Sequence, residues 1–205
     1  MKIIKPSATI ENKMCAKDAF KHIERCGRTC YKSEDKITGE SAKDFVARII
    51  RSGHESVLEH VSVTMRIVCD RGVSHELVRH RIASFSQEST RYCNYSIKER
   101  FGNEITVIKP CFFDERERDY ELWASAMVST EFAYFTLLEN GASPQEARSV
   151  LPNSLKTELV ITANLREWRH ILKLRTAKDA HPQCIEVMNM VKKELTEWLP
   201  EVFNV

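Results

Sequence analysis

Hydrophobic and polar residues alternate along two stretches of the chain. In residues 61–67, apolar side chains occupy every second position, and these are Val61, Val63, Met65 and Ile67. Residues 155–164, LKTELVITAN, alternate in the same way. Because side chains two residues apart lie on one side of a strand, both stretches are predicted to be half-buried strands. A further strand is predicted at residues 104–110, EITVIKP.

Helical spacing of apolar residues and capping signals predict the helices between these strands. The first predicted helix runs from Ser41 to Gly53, and a brief second one is capped by Ser74. A long helix is predicted over residues 114–139, closed by Asn140 and Gly141, and the next one has a capping box at Ser143, Pro144 and Glu146, carries Arg148 and stops at Leu151-Pro152. The last two helices run from Asn164 to about Arg175 and onward from Pro182. The last helix is expected to bury Ile185, Met188, Val191, Leu195 and Trp198. The pattern indicates a mixed α/β fold, with a central sheet flanked by helices.

Length and composition favour one folded domain over residues 1–205. The chain has no repeat and no Pro/Gly/Ser-rich linker, and 42% of its residues are hydrophobic. Its formal net charge is only +2, which gives no reason to expect a nucleic-acid or membrane partner. The sequence also shows no signal peptide and no apolar run of membrane-spanning length, so we expect a cytoplasmic protein.

The cysteine and histidine patterns predict neither disulfides nor a metal site. Seven cysteines without a secretory signal are expected to stay reduced, and Cys26 and Cys30 lack a second pair at zinc-finger spacing. The segment His54-Glu55-Ser56-Val57-Leu58 has leucine where a zinc protease motif requires its second histidine.

The most informative segment is Arg79–Tyr92, which contains three arginines, one histidine and several hydroxyl side chains. Only Glu88 opposes this positive charge. In an extended chain, Arg79 and Arg81 would point to one side, as would Ser89 and Arg91. Guanidinium and hydroxyl groups bind phosphate well, so the segment is interpreted as a loop that binds a phosphorylated small molecule. A surface network of ion pairs is the alternative interpretation.

The spacing within this segment resembles that of flavin-dependent thymidylate synthases. Arg79-His80-Arg81, seven residues and then Ser89 match the family signature, together with Gln87, Arg91 and Tyr92. Residues 54–60, 147–152, 162–175 and 181–183 are similar to other family blocks in the same order.

This resemblance implies roles for individual residues. The residues implied to lie against FAD are His54, Ser56, Arg79, His80, Arg81, Gln87, Asn164, Leu165, Arg166 and His170. Those implied to contact dUMP are Glu76, Arg79, Gln87, Glu88, Ser89, Thr90, Arg91, Arg148 and Arg175. Some family members have Gln at the position of Glu76, and some have Asn at the position of His170. For His54, a structural role at a helix end is the alternative.

The resemblance also implies the reaction, in which dUMP is methylated to dTMP. Methylenetetrahydrofolate would give the carbon, and FAD reduced by NADPH would give the hydride. Arg175 is the predicted catalytic residue because its guanidinium could stabilise negative charge on the uracil, although a helix-end ion pair is the alternative. No cysteine lies where the family binds the base, and Cys93 is expected to be structural. The family further implies a homotetramer with active sites shared between subunits.

Two other functional classes are compatible with the sequence. The arginine-rich segment could hold RNA or DNA phosphates in a binding module, although the isoelectric point of about 8.1 argues against a broad basic face. Alternatively, the chain could be a flavoprotein oxidoreductase that has lost methyl transfer.

Overall fold

The structure is a computed structural model that describes residues 1–204. Its strands are β1 (Lys2–Ile4), β2 (Ser7–Asn12), β3 (Ser62–Asp70), β4 (Ala83–Gln87), β5 (Thr106–Ile108) and β6 (Lys156–Asn164). Its α-helices are α1 (Ala16–Thr29), α2 (Ser41–Arg51), α3 (Arg71–Leu77), α4 (Lys98–Phe101), α5 (Arg118–Glu139), α6 (Pro144–Ala147), α7 (Leu165–Arg175), α8 (Pro182–Trp198) and α9 (Pro200–Phe203). Short 3₁₀ helices cover Glu34–Lys36, Glu55–His60 and Arg148–Val150. The mixed α/β class is confirmed.

The two alternating stretches form strands of one four-stranded sheet, in the order β2-β3-β6-β4. Along β3, Val63, Met65 and Ile67 are buried, which confirms the predicted alternation. On the other face of the sheet, the Thr64 and Thr162 hydroxyls are hydrogen-bonded at 2.9 Å. Alternate burial therefore fixes the register of β3 and β6.

The strand predicted at residues 104–110 is present but shorter. Only Thr106–Ile108 form β5, which pairs in parallel with β1 in a separate two-stranded sheet, Lys2 opposite Thr106. The backbone N–H of Ile108 does not bond to β1 but donates to the Ser154 carbonyl at 2.9 Å.

The helix starts agree with the sequence at three positions and differ at one. The Asn164 side chain accepts from the Glu167 N–H at 2.8 Å, and the capping box of Ser143 is present. Ser41 is the first residue of α2, as predicted, and its hydroxyl donates to Glu24. Asp70, not Ser74, caps α3, since its carboxylate accepts from the Val73 N–H. Asp70, the last residue of β3, thus supplies this cap four residues earlier than expected.

The long helix is confirmed, although α5 begins at Arg118 instead of residue 114. The structure also corrects the buried stripe of α8, where Ile185 is only half-buried. Cys184 and Val187 take its place beside the other predicted residues. Arg148 lies in the 3₁₀ turn after α6 rather than on the helix itself. In the described residues, no helix is both long and apolar enough to cross a membrane.

The described residues fall into two compact units, each of which the chain enters more than once. The first unit contains residues 1–7, 67–79 and 86–159, and the second contains residues 8–66, 80–85 and 160–204. In the first unit, the buried core is built from β5, α5 and the chain around them; it comprises Tyr95, Ile105, Val107, Trp123, Met127, Tyr134, Ala147 and Leu155. A single domain stays a prediction.

In the second unit, Trp168 of α7 is fully buried and donates its indole N–H to the Val63 carbonyl at 3.2 Å. Helices α1 and α2 pack closely, and Gly27 is the reason. A Cβ atom at Gly27 would lie 2.6 Å from the Phe45 ring, which is closer than carbon atoms can approach. The ring is buried and lies under the guanidinium groups of Arg28 and Arg48.

Candidate functional site

The Arg79-His80-Arg81 motif places its histidine inside the protein and its arginines outside. His80 is buried, whereas Arg79 and Arg81 are exposed. The extended conformation expected for this motif begins only at Ala83, the first residue of β4. Arg79 and Arg81 do not lie in a strand, so strand geometry does not support the prediction that they point to one side.

His80 lies in a cluster with three side chains of α7, here called the histidine cluster: His80, Glu167, His170 and Arg175. Arg175 Nε donates to His80 Nε2 at 3.0 Å. On the other side of the ring, Nδ1 lies 3.6 Å from a Glu167 carboxylate oxygen. The His170 ring meets His80 edge-on, with ring centroids 5.9 Å apart. Helical spacing of three residues places Glu167 and His170 side by side on α7, and Arg175 is the last residue of the same helix.

The surroundings of His80 keep its imidazole neutral. Burial, then the positive charge of Arg175, then His170 lower the pKa of His80 from 6.5 to about 4. A neutral imidazole accepts at one nitrogen only, and Nε2 accepts from Arg175. The proton therefore lies on Nδ1, on the side of Glu167, whose own pKa burial raises.

The lowered pKa of His80 predicts a loss of stability in acid. Since the unfolded chain would protonate this histidine near pH 6.5 and the folded chain only near pH 4, the free energy of unfolding falls as the pH falls between these values. We expect His80→Gln to show a smaller loss than the wild type between about pH 7 and about pH 5. Urea unfolding of both proteins at each pH measures the free energy of unfolding.

Exposed His75 of α3 provides the matched control. His75→Gln should keep the pH dependence of the wild type, since that side chain lies in water. Equal slopes in the wild type and His80→Gln would contradict the buried neutral state.

Three members of the histidine cluster could in principle hold a metal ion. His80, Glu167 and His170 offer ligand atoms within 4.8 Å of one another. The Arg175 guanidinium, however, already donates to His80 Nε2 and adds positive charge beside the ring. A cation there would be repelled, so we interpret the cluster as a support for Arg175.

A groove of about 960 Å³ lies beside α7 in the second unit. Of the residues predicted to bind FAD, Asn164, Arg166 and His170 line it. Exposed Ile82 gives it an apolar wall, and Lys173 and Lys192 add positive charge. Leu165 does not reach this groove, because its side chain is fully buried and its N–H donates to the Val61 carbonyl.

A second groove in the same unit, about 780 Å³ in volume, is lined by His54, Ser56 and again Arg166. His54 precedes the 3₁₀ helix Glu55–His60, and its side chain makes no capping bond there. Glu55 pairs with Arg169 at 3.0 Å, which gives this acidic residue a structural partner instead of a metal. Arg166 pairs with Glu59 at 2.6 Å and is exposed to both grooves.

In the first unit, Gln87 and Glu88 are held by the protein itself. The Gln87 amide donates to the hydroxyls of Ser74 at 2.9 Å and Thr157 at 3.1 Å. The Glu88 carboxylate accepts from Lys156 at 2.6 Å and from the Tyr95 hydroxyl at 3.1 Å. Burial and Glu88 raise the pKa of Tyr95, so this hydroxyl stays a donor. The predicted dUMP contact of Glu88 must therefore compete with two internal partners.

Removing Lys156 should lower the stability of the folded protein, because Glu88 then loses its charged partner. Lys156→Met leaves the Glu88 carboxylate without its charged partner, and we expect the free energy of unfolding to fall by about 1–3 kcal/mol. The exposed pair Lys193–Glu197, 4.0 Å apart, supplies the control, since Lys193→Met should change stability by less than about 0.5 kcal/mol. Urea unfolding of both variants tests the difference, and equal effects would show that Glu88 does not depend on Lys156.

Residues 89–93 form a turn, which corrects the extended conformation expected for Ser89 and Arg91. The Ser89 carbonyl accepts from the Tyr92 and Cys93 N–H groups, and its hydroxyl accepts from the Arg91 N–H. Thr90 is buried, while Arg91 is exposed and donates through Nε to the Gln145 side chain at 3.1 Å. Gln145 lies on α6, three residues before Arg148. The turn thus directs Arg91 toward α6.

The two remaining predicted residues lie near the ends of elements. Glu76 is half-buried in α3, and Arg148 begins the 3₁₀ turn after α6. The structure therefore divides the predicted site residues between the units. Those in the first unit are Glu76, Arg79, Gln87, Glu88, Ser89, Thr90, Arg91 and Arg148, and those in the second are His54, Ser56, His80, Arg81, Asn164, Leu165, Arg166, His170 and Arg175.

Comparison with known proteins agrees with the sequence motifs. Residues 11–201 match the family model described as thymidylate synthase complementing protein. A flavin-dependent thymidylate synthase of Pyrococcus abyssi is 37% identical over 166 residues, which cover 80% of this chain and 67% of the relative. The chain belongs to the flavin-dependent thymidylate synthase family.

Two solved structures share the fold of this family member. Thymidylate synthase X from Helicobacter pylori, solved with FAD and dUMP, matches with a TM-score of 0.76 and 23% identity over 97% of each chain. A UMP/dUMP methylase from Streptomyces cacaoi, bound with 5-Br dUMP, matches with a TM-score of 0.80 and 22% identity, covering 100% of this chain and 96% of the other. At such identities the likeness establishes the fold.

Several side chains that hold the family residues in place are not among the predicted site residues. They are Gln145, Lys156, Thr157 and Glu167. The alternation of β6 was the available signal for Lys156, because a lysine on the solvent face of a strand can reach a neighbouring strand. For Gln145, no local pattern pointed to Arg91.

Proposed function

We propose that this chain converts dUMP to dTMP, with methylenetetrahydrofolate as carbon donor, NADPH as reductant and FAD as bound cofactor. Family membership supports the reaction. The hydrogen bond between His80 and Arg175 carries the argument at the level of residues. It joins the signature motif to the arginine proposed to act on the uracil, 95 residues later in the chain.

The residues of the second unit fit the requirements of FAD. The chain has no G-x-G-x-x-G motif, so a dinucleotide must be held by side chains instead of a glycine-rich turn. In the groove beside α7, Arg166, Lys173 and Lys192 offer positive charge for a diphosphate, and Ile82 offers apolar surface for a ring. Its volume lies within the range of ligand sites. Bound there, FAD would supply the hydride that turns the transferred carbon into a methyl group.

We assign FAD binding to the predicted residues whose side chains line the grooves: His54, Ser56, Asn164, Arg166 and His170. Arg79, Arg81 and Gln87 are proposed as further contacts on the basis of the family motif. His80 is proposed to act mainly by holding Arg175, because its ring is buried. Leu165 can contribute only through its backbone.

Arg175 is proposed to stabilise negative charge on the uracil as C5 attacks the one-carbon unit. Its guanidinium is held by the neutral imidazole of His80. Because this imidazole carries no negative charge, it does not neutralise the positive charge that Arg175 offers to the uracil. A donor held in place before the reaction pays no reorganisation cost when charge develops. Arg175 therefore replaces covalent activation of the base.

The other residues proposed to contact dUMP all belong to the first unit. Arg91 and Arg148 would hold the phosphate by charge-assisted bonds, with Ser89 and Thr90 beside them. Glu76, Arg79, Gln87 and Glu88 are proposed as further contacts. The turn at residues 89–93 presents Ser89 and Arg91 on one short loop, which suits a compact anion such as phosphate.

Cys93 is expected to be dispensable for this chemistry. Burial and the nearby Glu88 raise the pKa of its thiol, so little thiolate is present at neutral pH. Cys93→Ser should retain dTMP formation and saturate with dUMP as the wild type does. If a folded, FAD-loaded Cys93→Ser protein produced no dTMP, a covalent mechanism would replace the one proposed.

The family resemblance also supports a homotetramer with shared active sites and a cytoplasmic location as proposals. The activity itself is tested by incubating the purified chain with dUMP, methylenetetrahydrofolate, NADPH and FAD, and measuring dTMP. A protein that binds FAD and oxidises NADPH without forming dTMP would be a flavoprotein oxidoreductase. One that takes up no FAD and binds RNA with a steep salt dependence would be a nucleic-acid-binding module.

A further inference from the structure

Glu167 holds a fixed position at the start of α7. It is the third residue of the helix, and its backbone N–H donates to the side chain of Asn164, the N-cap, at 2.8 Å. The Glu167 side chain is 10% exposed. Among the described residues, its one ion-pair contact is with His80, where Oε1 lies 3.6 Å from Nδ1. The buried carboxylate is therefore placed to act on the imidazole.

The hydrogen bond from Arg175 is compatible with only one neutral form of His80. Arg175 Nε donates to Nε2 at 3.0 Å, so Nε2 must accept with its lone pair, and the ring proton then lies on Nδ1. If the proton moved to Nε2, two N–H groups would face each other and this hydrogen bond would be lost. The position of the Arg175 guanidinium therefore depends on which nitrogen carries the proton of His80.

We propose that Glu167 is a positioning residue for the reaction, because its carboxylate holds the proton of His80 on Nδ1. An ionised carboxylate can only accept, so it favours a proton on the ring nitrogen that faces it. At 3.6 Å the contact is slightly longer than a hydrogen bond, and the negative charge still attracts the N–H group. Glu167 thus selects the tautomer of His80, and that tautomer holds the Arg175 guanidinium.

The charge state of Glu167 decides which tautomer it supports. Burial raises the pKa of Glu167, whereas the nearby His170 lowers it. The first turn of α7 also favours a negative charge, since the N–H groups at the start of a helix carry partial positive charge. A protonated carboxyl group would instead donate to Nδ1 and favour the other tautomer. The ionised carboxylate is therefore the form that supports Arg175.

This inference rests on the role proposed for Arg175, but the position of a proton on His80 can be measured without the reaction. A wild-type protein that forms no dTMP would count against the proposed function, whereas the tautomer of His80 tests the role of Glu167 alone. Glu167 also lines the groove proposed for FAD, so the FAD content of each variant has to be measured as well.

The first test reads the tautomer of His80 by solid-state nitrogen-15 NMR of the FAD-loaded, full-length protein with labelled histidine. The signals of His80 are assigned by their absence in His80→Gln. Arg175→Met removes the bond at Nε2, and we expect the proton to stay on Nδ1 because Glu167 remains. Adding Glu167→Gln to Arg175→Met should populate the Nε2–H form, since an amide can donate as well as accept. A proton on Nε2 in Arg175→Met, or an unchanged tautomer in the double variant, would overturn the proposal.

The second test compares turnover in two glutamate variants. Glu167→Gln should lower the single-turnover rate of dTMP formation at saturating dUMP and folate by about 10-fold, which corresponds to one hydrogen bond to a charged acceptor. Its FAD content and its KM for dUMP should equal those of the wild type. Glu197→Gln, an exposed carboxylate of α8, is the control and should turn over normally. Normal turnover in folded, FAD-loaded Glu167→Gln would contradict the proposal, and so would a loss of FAD with normal turnover per bound flavin. If Glu167→Gln did not fold, the NMR result for Arg175→Met would still decide.

Discussion

Arg175→Lys is expected to lower the single-turnover rate of dTMP formation at saturating dUMP and folate by about 10²–10³-fold. Lysine keeps the positive charge but lacks the planar guanidinium group. In Arg175, Nε donates to His80, and the rigid plane of the group thereby fixes the direction of the two terminal nitrogens. The loss should fall on turnover, because the guanidinium acts on charge that develops during the reaction. FAD content should stay unchanged.

Arg51→Lys is the matched control, because Arg51 is the last residue of α2 just as Arg175 is the last residue of α7, and Arg51 is exposed. Its turnover should equal that of the wild type. Near-normal turnover in folded, FAD-loaded Arg175→Lys would show that another residue activates the uracil.

Arg91→Ala should raise the KM for dUMP by about 10–100-fold, with turnover at saturating dUMP largely retained. Loss of a charge-assisted bond to phosphate costs about 1.5–3 kcal/mol, and the phosphate does not change during the reaction. The bond is therefore lost equally from the ground state and the transition state. Steady-state kinetics at varied dUMP measures both parameters.

Gln145→Ala separates the charge of Arg91 from its placement. This variant keeps the guanidinium but removes the acceptor of its Nε–H bond, so a smaller rise in KM is expected. If Arg91→Ala left KM unchanged and lowered only turnover, Arg91 would not be the phosphate ligand.

The strands and capped helices could be predicted because their signals are local. Alternation along β3 and the Asn164 cap each depend on residues that are neighbours in sequence. Helix α1 was not predicted, and its N-cap is Cys15, whose sulfur accepts from the Asp18 N–H. The usual caps are Ser, Thr, Asp and Asn, so a cysteine at position 15 does not predict a helix start.

The site was predictable in its residue types but not in its geometry. The density of arginines identified the segment around Arg79, yet only the structure shows that His80 turns inward and accepts from Arg175. That contact joins residues far apart in sequence, and so does the bond between Glu88 and Lys156. No periodicity encodes which distant side chain a buried polar group selects.

Gly27 shows how strongly a single absent side chain can restrict the sequences compatible with this protein. By helix propensity alone, alanine at position 27, in the last turn of α1, would be favoured over glycine by up to about 1 kcal/mol. The Phe45 ring reverses this preference, because even a methyl group at position 27 would overlap it. In a library of all substitutions screened for folded protein, position 27 should accept glycine alone, while exposed positions of the same helix accept most residues. A side chain at position 27 therefore requires the Phe45 ring to move or to be replaced by a smaller one.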